Sequence, residues 1–313
     1  MSNLARQLLI VAMALPWAAA QRQPGGRTVA LTIDDGPAVN ALEDLASFQR
    51  IAAALRESCQ AEKVPAIMFI NERQFNVDGQ RDARVQALIE WLDGGFDIGN
   101  HTYSHPSVNK VPLWQFEDDV ARGEVIMGAL LAKRGRKLEW FRYPYLDSGT
   151  DAQAHQAIVD FLEQRKYRVA RITVDYQDYM FAGVYSRLLR AAKTDDAETV
   201  KQACLEQLDA GFDYAERASK EIFGYEPPQI LLIHANELTS VALRGSIERI
   251  RKRGYRFVSV EEATRDPAYQ RPDTFAGGGG SWLDRSSEAL GKKISMEEPR
   301  VPKWVTDLRR PAR

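Results

Sequence analysis

Cysteine is almost absent from this 313-residue chain: Cys59 and Cys204 are the only two. No Cys-x-x-Cys pair exists, which excludes a thiolate zinc module. Net charge is nearly absent as well. With 42 Lys and Arg against 43 Asp and Glu, a formal charge of −1 creates no global field to gather nucleic acid or anionic lipid. No nucleic-acid partner is expected. Long apolar runs are also missing. After the first twenty residues nothing approaches the ~20 residues that cross a bilayer, so no stable membrane span is expected in the mature chain.

The first twenty residues differ from the rest. Arg6 is their only charged side chain, residues 8–15 are apolar, and Ala18-Ala19-Ala20 precede Gln21. This is the pattern of a secretory signal peptide, so cleavage after Ala20 and a periplasmic or secreted mature protein are expected. An oxidising compartment would permit a disulfide. Cys59 and Cys204 fall on predicted helices that would not be neighbours around a barrel, and free thiols are expected.

From residue 28 onward, short apolar runs alternate with amphipathic stretches. Strands are predicted at 28–33, 64–70, 96–99, 138–142, 167–174, 229–234 and 255–260. They are rich in Val, Ile, Leu and aromatics, as strands covered on both faces are. Helical patterns occupy 42–55, 85–92, 117–131, 154–165 and 238–251. Seven βα units in series give an α/β fold with a parallel sheet, closed or nearly closed as a barrel; a doubly wound open sheet is the alternative. Residues 21–265 form the predicted barrel domain and 266–313 an irregular C-terminal tail. Gly277 to Gly280 lack the preceding strand and the following Lys-Ser/Thr of a phosphate cradle, and read as a flexible linker.

Reactive side chains gather at the carboxyl ends of the predicted strands, where barrels build active sites. Asp34 and Asp35 follow the first, His101 and His105 the third, Arg142 ends the fourth, Asp178 follows the fifth and His234 ends the sixth. Only His155, of four histidines, lies elsewhere, and it reads as a solvated helix residue. His101 and His105, four apart, fall on one face of a helical turn at metal-ligand spacing. Thr102 occupies the position where a metalloprotease motif requires Glu. Asp34 and Asp35 leave a strand in opposite directions. Neighbouring residues also cannot provide the ~5 to 10 Å carboxylate separation of a glycosidase. A division of labour fits them: one carboxylate completes a His-His-Asp metal site, the other accepts a proton from water.

Thr32-Ile33-Asp34-Asp35-Gly36-Pro37, His101 to His105, Arg142-Tyr143-Pro144-Tyr145, Asp175 to Tyr179 and Leu232-Ile233-His234 occur in that order. This set resembles the five motifs of the NodB-type polysaccharide deacetylases, carbohydrate esterase family four, from about residue 28 to 260. The resemblance implies a distorted (β/α)7 barrel of the NodB homology type. It implies Asp34 as general base, with Asp35, His101 and His105 binding a divalent metal, usually zinc. It further implies that Arg142 keeps Asp34 ionised and that the Tyr145 backbone N–H stabilises an oxyanion. His234 would be the general acid, kept cationic by Asp178, while Leu232 lines an acetyl-methyl pocket and Tyr179 a groove wall.

Four departures stand out. Ile33 replaces a common Phe, Tyr179 a typical Trp, Leu146 a frequent Gly, and Asn71-Glu72-Arg73 is an unusually polar strand end, expected to touch substrate. The implied activity is metal-dependent removal of N-acetyl groups from an N-acetylated carbohydrate such as a chitin-like polymer, peptidoglycan or exopolysaccharide. Two rivals are an amidohydrolase acting on a small cyclic amide or ureide, and a catalytically silent carbohydrate-binding barrel.

Overall fold

A computed structural model describes residues 26–39 and 44–309. The expected signal peptide, its cleavage point at Gln21 and the start of the 42–55 helix lie outside the described residues. Among those described, no helix is long and apolar enough to cross a membrane.

The chain folds as a distorted α/β barrel of short parallel strands wrapped in helices. The strands are β1 (Arg27–Gly36), β2 (Ala66–Ile70), β3 (Asp97–Asn100), β4 (Trp140–Phe141), β5 (Arg168–Val169), β6 (Val174–Asp175), β7 (Gln229–His234) and β8 (Tyr255–Val258). Their order is β5-β4-β3-β2-β1-β7-β6, with β8 also on β1. β1 pairs with β7 at Val29 to Asp34, with β2 from Leu31 onward and with β8 at Arg27 to Ala30. A strand has two edges, so β2 and β8 share the edge opposite β7.

The sequence predicts one strand over 167–174; the chain instead breaks it into β5 and β6. β5 pairs with β4 and β6 with β7, so the barrel has a seam spanned by residues 170–173. The seam is closed from the C-terminal segment: the Trp282 N–H donates to the Ile172 carbonyl at 2.6 Å.

Alternation along the strands sorts the core into two layers. Val29, Leu31, Ile33, Met68, Ile70, Leu231 and Ile233 face the helices. Ala30, Ile67, Phe69, Ile230 and Leu232 pack inside the barrel, together with Trp282. The inward series Ala30, Thr32, Asp34 and Ile230, Leu232, His234 ends at the carboxyl mouth, where Asp34 and His234 lie in register.

The segment expected to be an irregular tail carries two helices, Trp282–Ala289 and Lys303–Arg309. Trp282 is buried, whereas Trp304 is exposed. The expected flexible glycine linker is held in place: the Gly277 carbonyl accepts from Ser148 N and Asn109 Nδ2, both at 2.9 Å. The predicted 117–131 helix divides at Gly123 into Leu113–Arg122 and Val125–Ala132. Cys59 and Cys204 are buried free thiols.

Candidate active site

Asp34, Asp35, His101, His105, Tyr145, Tyr179, Leu232 and His234 line one cleft of about 430 Å³ at the carboxyl mouth. Arg142 and Asp178 stand behind it, against Asp34 and His234 respectively. All ten residues singled out in the sequence therefore converge.

Asp35 takes a left-handed conformation, φ 59°. That turn overrides strand alternation, so the two aspartates do not point apart: Asp34 Oδ2 is 3.8 Å and Asp35 Oδ1 3.7 Å from His101 Nε2. Asp35 Oδ1 is also 3.4 Å from His105 Nε2. The two histidines are not on a helical turn. Thr102 and His105 have φ of 66° and 64°, and the loop folds back to bring the two rings within 4.7 Å, centroid to centroid.

Asp35, His101 and His105 each offer a ligand atom within 4.8 Å of the others. His101 Nδ1 lies 2.8 Å from the Arg142 carbonyl. Donation to that acceptor fixes the tautomer and leaves the Nε2 lone pair facing the aspartates, as in a metal-ligating histidine. Burial holds both imidazoles below the usual range, and so neutral. Asp34 Oδ1, beside this group, is buried without a hydrogen-bond partner. The donor set fits a divalent cation with a water beside it.

Arg142 is buried inside the barrel, its guanidinium 3.4 Å from Asp34 Oδ2, 3.0 Å from Thr32 Oγ1 and over the Phe69 ring. Burial pushes the Asp34 carboxyl up, Arg142 opposes it, and the net position is about 6. Arg142 thus limits the rise rather than depressing the carboxyl below its ordinary value. Opposite, Asp178 is fully buried at the start of the helix Asp178–Arg190, where the helix dipole favours negative charge. Its Oδ1 lies 2.7 Å from His234 Nδ1, and its Oδ2 accepts from His234 N and Asn236 Nδ2, both at 3.0 Å. Burial alone would lower the His234 ring; the Asp178 charge and hydrogen bond together outweigh it and lift the ring to about 10.

Two exposed aromatics flank the mouth. Tyr145 stands edge-on to His105 and Tyr179 edge-on to His234, at 4.5 and 5.4 Å. Tyr145 and Leu146 are consecutive left-handed residues, φ 58° and 56°. Leu146 thus holds, at a cost of roughly 1–2 kcal/mol, a conformation glycine takes freely.

Residues 21–166 match the family model for polysaccharide deacetylase. Over this span, a little less than half of the chain, the barrel carries the polysaccharide deacetylase signature. The matched span holds the aspartate pair, His101, His105 and Arg142-Tyr145, and stops before Asp178 and His234. Among solved structures similar to this barrel is a carbohydrate esterase family four pseudoenzyme from Bacillus anthracis, 17% identical, covering 77% of this chain and 66% of that one at a TM-score of 0.51. A mutant of that pseudoenzyme with restored activity is 18% identical, covering 77% and 68% at 0.51. A mutant of the peptidoglycan deacetylase PdaC from Bacillus subtilis is 19% identical, covering 78% and 94% at 0.50. At such identities these likenesses speak for the fold. No curated protein sequence matches.

Two further expectations are corrected. His155 is buried, its two ring nitrogens tied to the Ser148 and Asp273 carbonyls at 2.7 and 2.9 Å. Asn71 and Glu72 do not face substrate: the Asn71 amide donates to the His101 carbonyl, and the Glu72 carboxylate accepts from the N–H groups of Ile126 and Met127. The cleft also includes residues that were not foreseen: Tyr143, Asp175, Gln177 and, from the C-terminal segment, Gly279, Gly280, Ser281 and Glu298. Tyr143, Asp175 and Gln177 lie inside quoted motifs; nothing in the sequence pointed to Glu298.

Proposed function

We propose that this chain is a working metal-dependent hydrolase that removes N-acetyl groups from a polysaccharide or oligosaccharide, in the periplasm or outside the cell. The observation that carries this reading is the Asp34 and His234 pair, in register on adjacent strands at the mouth of one cleft, with positions pushed to about 6 and about 10. Between those values one is an ionised base and the other a charged acid, the separation that acid–base catalysis at neutral pH uses. A silent barrel has no use for a buried Asp178 clamped on His234.

A divalent cation held by Asp35, His101 and His105, zinc by the preference of a two-imidazole, one-carboxylate set, would supply Lewis-acid polarisation of the acetyl carbonyl and acidify water. Asp34 accepts the proton of the attacking water, whose oxygen forms the new bond to the acetyl carbon. The Tyr145 N–H is assigned to the developing oxyanion. His234 donates its proton to the sugar nitrogen as the carbon–nitrogen bond breaks, giving acetate and a free amine. Leu232 receives the acetyl methyl.

Acetate release from chitin oligomers, peptidoglycan and an acetylated exopolysaccharide tests this, with chelated and metal-reloaded protein side by side. Metal-dependent release from at least one is expected. Release only from small cyclic amides would favour the amidohydrolase reading, and none at all the silent barrel.

A further inference from the structure

The C-terminal segment forms part of the cleft as well as sealing the seam. Arg285, buried and ion-paired with Asp273 at 3.3 Å, donates to the carbonyls of both Leu146 and Gly279. This joins the loop after β4 to Gly279, Gly280 and Ser281. Past Ser281, the Trp282 N–H bond to Ile172 anchors the same wall over the seam. Gln207 Nε2 donates to the Pro299 carbonyl at 2.9 Å, fixing the chain beside Glu298, which faces the cleft with Asp175, Gln177 and Tyr179. The C-terminal segment therefore lines the cleft together with Tyr145 on one side and Tyr179 on the other. The loops of β1, β3 and β7 supply the rest of the lining. Among the described residues, the sectors after β2 and β5 supply none; the C-terminal segment covers the one after β5 through Trp282 and Ile172, which leaves the β2 side uncovered.

A cleft with one open side does not let a polymer run through. Resting on the deacetylase reading, we propose that the C-terminal segment makes the cleft blind, so that the protein acts on the terminal sugar of an N-acetylated chain. The chain would enter from the β2 side, where Arg73 is exposed. Internal units of a polymer would have to ride above the wall, too far from Asp34 and His234.

The test uses the full chain and an N-acetylglucosamine tetramer isotopically marked at its reducing end, with mass spectrometry locating the deacetylated unit after partial turnover. One terminal unit is expected to exceed each internal unit by about tenfold or more, the factor that 1.4 kcal/mol of lost contact gives. Equal rates at internal units would overturn the proposal. Gly279→Asn probes the wall directly. A Cβ there meets no atom within 4 Å, and Asn tolerates the φ of 69°. A KM for the tetramer raised several-fold at unchanged metal content is expected; an unchanged KM would overturn the wall. Saturation-transfer NMR of the tetramer on Asp34→Asn protein separates this proposal from the reading beneath it. Saturation of one terminal acetyl methyl supports the blind cleft even if the parent releases no acetate, and equal saturation of all four methyls overturns it.

Discussion

At the scale of single residues, the site is two buried ionisable pairs facing each other, and their surroundings set their states. His234 remains protonated to about pH 10 because Asp178 holds its Nδ1. Asp178→Asn removes the charge that raises the ring, so the imidazole should lose its proton at lower pH. The high-pH limb of the rate profile should then move down by more than one unit, while the low-pH limb stays; kcat/KM measured from pH 5 to 11 checks this. A limb that does not move would separate Asp178 from the acid. The residue types and order were legible in the sequence, since catalytic chemistry is restricted to few side chains. Their directions were less so. Strand alternation sent Asp34 and Asp35 apart, but the left-handed φ at Asp35 brings both to His101. The burial of His155 was hidden because its partners are backbone carbonyls 7 and 118 residues away.

Among the elements, the loop that carries His101 and His105 depends on how closely a helix pair approaches it. A Cβ on Gly123, between Leu113–Arg122 and Val125–Ala132, would sit 2.6 Å from the Thr102 carbonyl carbon and 2.7 Å from Tyr103 N. Both are backbone atoms of the loop that carries His101 and His105. Gly123→Ala should therefore push that loop, costing about 1–3 kcal/mol as overpacking does and lowering bound metal. Denaturant midpoints and elemental analysis of the variant check both effects. Full metal at unchanged stability would mean that the loop is not held there. A single amphipathic period over 117–131 concealed this break, because hydrophobic pattern continues across a glycine that backbone contact requires. β1 and β7, long and uninterrupted, were legible nearly to their ends; β5 and β6 were not, because the apolar run 167–174 spans a seam where the chain leaves the sheet to meet Trp282.

Across the whole molecule, the barrel is completed by a segment whose sequence reads as an irregular tail. Trp282 packs in the barrel interior, donates its ring N–H to the Ala268 carbonyl at 2.9 Å and lies under the Arg171 guanidinium. Trp282→Ala should cost about 3–5 kcal/mol, the usual loss for a buried aromatic, where a loosely draped tail would cost almost nothing. Equilibrium unfolding decides between them. The polar composition of 266–313 hid this, since its buried apolar residues, Ala268, Tyr269, Trp282, Leu283 and Val305, are few and widely spaced. The central claim concerns the mouth of the completed barrel: Asp34 is the base beside a metal held by its neighbours. Its most direct test is acetate release from an N-acetylglucosamine oligomer by Asp34→Asn protein, with metal content determined on the same preparation. The substitution keeps the side-chain shape and spares all three ligands, so metal should remain at the parent level while the rate falls by about 10² or more. Parent-level release would contradict the assignment of Asp34 as base, and loss of the metal would place Asp34 among its ligands instead.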